Sequence, residues 1–570
     1  MKDPIALYKK VLLILFILTV ICYGQTLNYP FVYDDIRVLK TPTTDILWDR
    51  SISPNRSVVS FTFYLNKVIF GNEPIGFRIF NILIHLANGF LVFLLLHTIV
   101  RIKQNVKIVE LSDCVVPLLC SCIFIVHPLA IQSTTYLSQR FNSLAAFFFL
   151  GTVLFFLWGR ETKSRKLLII SLVSSLLAFL SKEFTVSLIV IIPLLEFIFF
   201  YKKEQKIESV FLTLPFFLTG LTIPVIHFLP AWFPSSETVS SSFLPSWAPL
   251  EKISRANYLL TQIDSVFSFY SSKFFLPLDL SVYPSVELVS YFSFANLIYI
   301  SIFSFIILCS INFIKKYTLA SLGVFWIILT LGPTSSLIPN TELVAEHRFY
   351  IPSVGFYFIF LELSFMIKNR VGEFILVLFV LLLVPLNYFR NQVWSSEEKL
   401  WADAVQQAPT KARPFINLAG IYLDQGQNKL ANKFASKALE ISKNDPKALF
   451  IVGRTLELSN PNLARKQYMK IINIFQKTKK PQEYYRAQLG LALLLYNAQE
   501  YSSSMELILP IYEKNLLLSE CHKLLAYNYY ATNQLGKALF HFKNGRRLRV
   551  AFHPEFSAIF LKKKTNKTNH

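Results

Sequence analysis

The sequence predicts an all-α protein in two parts: a polytopic helical membrane domain of about eleven spans, followed by an extramembrane α-solenoid of helical repeats. Three observations carry this. Of the 570 residues, 53% are hydrophobic and only 16% charged, where a soluble domain has about 25% charged residues. Apolar runs of bilayer length recur up to about residue 390. Beyond that point the texture turns polar, and one small-residue pattern returns at spacings of 34, 37 and 36 residues. With 54 Phe, most of the chain has the means to bury itself, which excludes disorder for its larger part.

A helix needs about 20 residues to cross the hydrocarbon. Runs that suit this lie near 11–29, 79–99, 113–130, 141–159, 167–182, 184–201, 210–230, 292–314, 317–333, 349–367 and 373–390. The first lacks a small-x-small cleavage site, and Ile21 before Cys22 does not suit a lipobox, so it reads as an uncleaved anchor. The six Cys are scattered and read as small core residues; Cys120-Ser121-Cys122 has the wrong spacing for a zinc or redox site.

Charge sets the topology. With the N-terminus cytoplasmic, the short cytoplasmic segments hold Lys2, Lys9, Lys10; Arg101, Lys103, Lys107; Arg160, Lys163, Arg165, Lys166; Lys202, Lys203, Lys206; Lys315, Lys316; and Lys368, Arg370. This is the positive-inside pattern. It favours an odd number of spans and places everything after residue 390 outside the cytoplasm, in a periplasm or an ER lumen. Two long segments face the same side, about 27–78 and 230–290. Each contains an amphipathic stretch suited to the interface, Ser57–Phe70 and Tyr258–Phe275.

The expected domains are 1–390, the membrane domain; 391–411, a connecting helix; 412–548, the repeats; and 549–570, a basic tail. Ser395-x-x-Glu398 suits a capping box opening a helix over 396–407. In the repeats, Leu418-Ala419, Val452-Gly453, Leu489-Gly490 and Leu525-Ala526 recur. Ala431, Ala464, Ser502 and Ala538 follow at similar offsets, as do Tyr422, Leu456, Leu493 and Tyr529. Small residues at these positions let the helices of a hairpin pack closely, and the pattern resembles the tetratricopeptide repeat. The net charge of +22 has two sources. Orientation signals account for the smaller part; residues 391–570, with 27 Lys and Arg against 13 Asp and Glu, account for the larger. Nucleic acid is therefore excluded as a partner.

Candidate chemistry gathers at one membrane face under this topology. Tyr33-Asp34-Asp35 follows the first span, and the pair is either a turn or cap, or a general base or metal ligand. His127, Gln132, Tyr136 and Arg140 are placed to line a polar cleft or to end a helix. Lys182 and Glu183 sit at a tight turn, either paired or facing a cavity. Glu346-His347-Arg348 suits a phosphate, since Arg binds phosphate through two parallel charge-assisted hydrogen bonds. His85 shares a helix face with Asn81 and Asn88, first as hydrogen-bonding glue between helices and second as cavity lining.

In order along the chain, these blocks resemble the transmembrane and tetratricopeptide repeat O-mannosyltransferases and their bacterial relatives. The resemblance rests on Phe31-Val32-Tyr33-Asp34-Asp35, Arg56 to Phe61, Gly76 to His85, and His127-Pro128 with Gln132, Tyr136, Gln139 and Arg140. It continues through Ser181-Lys182-Glu183, Pro333 to Ser336 with Glu346-His347-Arg348 and Tyr350, and Asn391, Trp394, Leu400 and Trp401. It implies a GT-C-type glycosyltransferase whose first outer loop carries the acidic pair and whose donor is a sugar, mannose or another hexose, on a polyprenyl phosphate. Asp34 or Asp35 is then the base. Arg348, His347, Glu346, Arg140 and Lys182 form the expected donor-phosphate site, and His127, Gln132, Tyr136, Glu183 and His85 line the cavity. No cofactor is required and no metal is expected. The acceptor is a protein bound through the repeat groove. The expected setting is a bacterial inner membrane with periplasmic repeats, or an ER membrane with lumenal ones. Two rival readings are a membrane-anchored repeat scaffold and a Wzy-like polymerase or ligase of lipid-linked glycans.

Overall fold

A computed structural model describes residues 4–36, 56–106, 112–201, 206–222, 254–289, 294–336, 339–340, 342–367, 370–476 and 480–562. Those residues contain helices and loops and no strand. The chain forms two compact units, one ending at Gln407 and the other beginning at Ala408.

A helix overlaps each of the eleven expected spans. Among the described residues, five combine the length and apolarity to cross a bilayer alone: Ile5–Asn28, Pro74–Gln104, Leu137–Glu161, Phe294–Asn312 and Val371–Val393. A sixth, Ser112–Val126 with Pro128–Thr134, is bent by 54° at His127-Pro128. Proline explains the bend, because it lacks an N–H and disfavours helical geometry in the residue before it. The remaining helices are shorter than the apolar runs they overlap. Arg165–Phe179 stops before Ser181, and Leu188–Phe199 begins only after the turn through Glu183–Ser187. The run over 210–230 forms the end of a helix to Gly220, and its last part lies outside the described residues.

The interior is packed by apolar side chains from most of these helices, with Leu15, Phe93, Leu96, Ile125, Phe149, Ile191 and Trp326 all buried. Helices Thr318–Leu331 and Val354–Met366 cross backbone to backbone. A Cβ on Gly323 would lie 2.3 Å from the Gly355 carbonyl oxygen, and one on Gly355 would lie 2.5 Å from that of Gly323. Small residues permit this approach between membrane helices. Ser57–Phe70 is helical over the expected residues, with Val59 and Phe63 buried and Phe61, Val68 and Ile69 exposed. The stretch expected over Tyr258–Phe275 is also helical, with a π-type segment at Val266–Ser271.

The first unit ends in the helix Glu397–Gln407. Its cap differs from expectation by one residue: Ser396 Oγ accepts from Lys399 N at 3.2 Å, so Ser396 and not Ser395 caps it. Glu398 suits the capping-box pattern with Ser395, but the helix starts one residue later than that pairing requires.

The second unit stacks helical hairpins: Ala412–Asp424 with Asn428–Ile441, Pro446–Leu456 with Pro461–Ile474, Gln482–Asn497 with Tyr501–Glu513, and Leu518–Ala531 with Leu535–Arg547. The fourth residue of each second helix is small and fully buried: Ala431, Ala464, Ser504 and Ala538. Ser504 therefore replaces the expected Ser502, which is exposed. The longer first helix of the third hairpin shifts the register by two residues. Gly453 and Gly490 grip one ring from both sides, since a Cβ on either would lie 2.6 Å from Tyr468. Within the stretch read as a basic tail, Pro554–Lys562 is helical, and Phe556 packs with Phe542 and Ala526. Lys563 and Lys564 lie outside the described residues.

Candidate active site

The bent stretch His127–Asn142 is the hub of the site. It comprises short helical turns at Pro128–Ala130, Ile131–Thr134 and Leu137–Gln139, then the start of the helix Arg140–Glu161. These interrupted turns leave side chains and backbone groups free to bind other segments, and several predicted residues meet here.

The two acidic residues part company. Tyr33 takes a left-handed conformation, φ 57°, which is uncommon for a residue with a Cβ and marks strain. Past this kink, Asp34 is exposed and Asp35 fully buried. Asp35 Oδ1 accepts from Ser138 N at 2.7 Å and from Ser138 Oγ at 2.8 Å, and Oδ2 accepts from Val32 N at 3.5 Å. Burial raises its pKa to about 6, against the opposing pull of Arg78 and of these hydrogen bonds. Among the described residues, Asp34 Oδ2 accepts one side-chain hydrogen bond, from the Tyr136 hydroxyl at 3.0 Å. Burial, then the Asp34 charge, keeps the Tyr136 phenol protonated well above its usual range, so it donates throughout. The Tyr136 ring belongs to an aromatic cluster: Tyr33 lies 5.8 Å from Tyr136 and 5.3 Å from Trp401, and Tyr136 stacks on Trp394 at 5.3 Å. Arg78 holds the approach to the kink by donating to the carbonyls of Tyr29, Pro30 and Thr135.

The second cluster is cationic. Lys182 Nζ donates to Gln139 Oε1 at 3.2 Å and Asn142 Oδ1 at 3.4 Å. Burial lowers its pKa to about 7, with Arg56 and Arg348 lowering it further and Glu183 opposing. Arg56 forms a two-pronged pair with Glu183, at 3.2 and 3.4 Å. Burial alone would raise the Glu183 pKa, but the Arg56 charge, the hydrogen bonds to the carboxylate and Lys182 together outweigh it, and the net shift is downward. Arg348 donates to the carbonyls of Leu343 at 3.2 Å and Glu342 at 2.8 Å. His347 Nδ1 pairs with Gln132 Oε1 at 3.1 Å, and its carbonyl accepts from Asn142 at 2.8 Å. Burial, then Lys182, Arg348 and Arg56, holds His347 far below its ordinary pKa. This favours the neutral imidazole, which offers hydrogen bonding in the cluster.

Other expected residues lie elsewhere. Arg140 is fully buried and used up as glue: it donates to Asn81 Oδ1 at 2.7 Å, Thr62 Oγ1 at 3.3 Å and the Phe77 carbonyl at 3.2 Å. Its guanidinium also stacks on Phe63 and Phe80. It is not presented to the cationic cluster. Glu346 is buried as well, and its Oε1 accepts from Ser281 N at 2.6 Å. Burial raises it to about 7, with Arg390 the main opposing charge. It braces the 281 loop, as Gln132 does through the Ser281 carbonyl at 3.3 Å. His85 bridges Tyr350 Oη at 2.7 Å and the Ile125 carbonyl at 3.0 Å, the role of glue. His127 pairs with the Phe274 carbonyl at 2.8 Å and lines a small cavity with Phe124, Tyr350 and Tyr357.

Three residues outside the expected set belong to these clusters. Arg56 and Arg78 stand inside the motifs, but their partners, Glu183 and the 29–30 backbone, are distant in sequence or are backbone groups. Glu397 accepts from the Tyr33 backbone N–H at 2.8 Å. No group of three or more His, Cys, Asp or Glu suited to a metal occurs among the described residues.

No family model matches the chain. It is similar to Protein O-mannosyl-transferase F38B6.6 of Caenorhabditis elegans, 24% identical over 458 residues, covering 75% of this chain and 62% of that protein. It is also similar to Protein O-mannosyl-transferase TMTC4 of Mus musculus, 24% identical over 73% of this chain and 64% of that protein. Human Protein O-mannosyl-transferase TMTC1 shares 31% identity over 139 residues, 23% of this chain and 16% of that one. The chain thus spans less than two thirds of the length of the first two. Among solved structures, the APC/C hetero-tetramer Cut9-Hcn1 aligns over 93% of this chain and 96% of that chain at 14% identity and a TM-score of 0.27, too low to inform the fold. Over about three quarters of its length, the chain is similar to proteins named protein O-mannosyl-transferase, in keeping with the resemblance its motifs carry.

Proposed function

We propose that the chain is an inverting glycosyltransferase of the GT-C type. It moves mannose or another hexose from a polyprenyl-phosphate donor to a hydroxyl of a protein acceptor, on the extracytoplasmic side of a bacterial inner membrane or the lumenal side of an ER membrane. The observation that carries this reading is the divergence of the acidic pair. Among the described residues, Asp34 is exposed and held by the Tyr136 phenol, while both oxygens of Asp35 are engaged inside. Asp34 is then the base and Asp35 its anchor.

The acceptor hydroxyl attacks the anomeric carbon. Its O–C bond forms as the bond from that carbon to the phosphate oxygen breaks. The hydroxyl proton passes to the Asp34 carboxylate, and the electron pair leaves on the polyprenyl phosphate. One displacement inverts the anomeric centre. The leaving phosphate needs positive charge more than an acid. Lys182, Arg348 and Arg56 supply it. Neutral His347 contributes hydrogen bonding only. A bound phosphate would raise the Lys182 pKa back from about 7, so donor binding and Lys182 protonation reinforce each other. The scheme needs no metal, because a carboxylate takes the proton and side-chain cations take the charge. The repeats would hold the acceptor in a groove suited to an extended peptide.

The test supplies the full chain, in lipid nanodiscs, with an acceptor protein and either a polyprenyl-phosphate hexose or a polyprenyl-pyrophosphate oligosaccharide. Transfer from the first is expected. Transfer only from the second would support a Wzy-like ligase. No transfer from either, with unchanged glycans on extracytoplasmic proteins after removal of the chain, would support a scaffold.

A further inference from the structure

We infer that Glu397, in the helix that follows the last span, is a positioning residue that holds Asp34 outward through the backbone of Tyr33. The inference rests on the base assignment proposed above and adds the device that sets it.

Tyr33 is the residue with positive φ, and the kink there sends Asp34 outward and Asp35 inward. Such a conformation persists only when its surroundings over-determine it. The surroundings come from Glu397–Gln407. Glu397 Oε1 accepts from Tyr33 N at 2.8 Å, and Trp401, one turn later, meets the Tyr33 ring edge-on at 5.3 Å. Glu397, Leu400, Trp401 and Ala404 form one helical stripe, and the last three are buried. A glutamate in a first turn ordinarily serves its own helix dipole. This one also reaches a backbone amide 364 residues away in sequence. The helix has a second tie: Asp403 pairs with Arg390 of the Val371–Val393 helix at 2.8 Å. Trp394, between the two helices, stacks on Tyr136, the donor to Asp34. The same segment thus fixes the backbone before the base and the phenol beside it.

The test compares Glu397→Ala, Glu397→Gln and Asp34→Asn in the full chain, by transfer kinetics and by hydrogen exchange of residues 30–36. Loss of one charge-assisted bond should lower kcat about 10- to 30-fold in Glu397→Ala. The donor KM should stay within about twofold, and exchange at 30–36 should speed up. Glu397→Gln keeps an acceptor oxygen and should restore most of both. Should Glu397→Ala not fold, Glu397→Asp, one methylene shorter, makes the same comparison. Unchanged kcat and unchanged exchange would overturn the proposal. Exchange needs no turnover, so if Asp34→Asn transfers normally the base assignment fails, while the exchange result still decides the role of Glu397.

Discussion

The Tyr136 hydroxyl donates to Asp34 Oδ2 at 3.0 Å, while two residues further on Ser138 donates twice to Asp35. One short turn therefore holds both members of the acidic pair, each in a different setting. A hydrogen bond to a charged group contributes about 1.5–3 kcal/mol. Tyr136→Phe keeps the ring that stacks on Trp394 and loses only the donor. The expected outcome is a fall in kcat/KM of about 10- to 100-fold, with an unchanged melting temperature.

Asp35 predicts a pH dependence of stability. Its pKa rises from 3.8 to about 6 through burial. A raised folded pKa means the folded chain prefers the protonated form. This contribution is fully present below about pH 4 and is lost as pH rises through about 6. It amounts to at most about 3 kcal/mol. Asp35→Asn, which cannot ionise, should show a flatter melting temperature between those limits, read by thermal melts in nanodiscs.

Lys182 sets the basic side of the rate profile. With a pKa of about 7, the donor-free enzyme loses this charge as pH rises through neutrality. The kcat/KM for donor should therefore decline above about pH 7. Lys182→Arg, which stays charged, should flatten that limb. An unaltered profile in the variant would remove Lys182 from donor binding.

Arg140 is predicted to be structural. Its donors and its stacking on Phe63 and Phe80 are internal. Breaking a buried charged network costs about 3–5 kcal/mol. Arg140→Ala should thus reduce the yield of folded protein, and whatever folds should keep the wild-type donor KM.

In the repeats, Gly490→Ala places a Cβ 2.6 Å from Tyr468. Overpacking of this kind costs about 1–3 kcal/mol. Gly420→Ala and Gly536→Ala meet nothing within 4 Å and should leave the melting temperature of the repeats unchanged or slightly raised.

The membrane helices were legible because lipid demands long apolar runs, and the repeats because close helix packing demands small residues such as Ala419 and Gly453. Helix lengths were less legible: a run such as 184–201 reads as a span even though its first residues form a tight turn. Ser504 was hidden by the longer helix before it. Within the candidate site, residue identities were readable but not their directions. Asp34 and Asp35 are chemically alike, and the kink that separates them falls on Tyr33, a residue type that carries no signal for positive φ. Arg140 reads as an anion binder until Asn81 and the Phe77 carbonyl claim its donors. Glu397 reads as an ordinary first-turn acid, since its partner is a backbone amide on a distant segment.

The most direct test compares Asp34→Asn with Asp35→Asn in transfer from a polyprenyl-phosphate hexose. If Asp34 takes the proton, Asp34→Asn should fold normally and lose about 10²- to 10⁴-fold in kcat. Asp35→Asn, which keeps an oxygen for Ser138, should retain activity within about tenfold. Wild-type turnover in Asp34→Asn, or a greater loss in Asp35→Asn, would contradict the account.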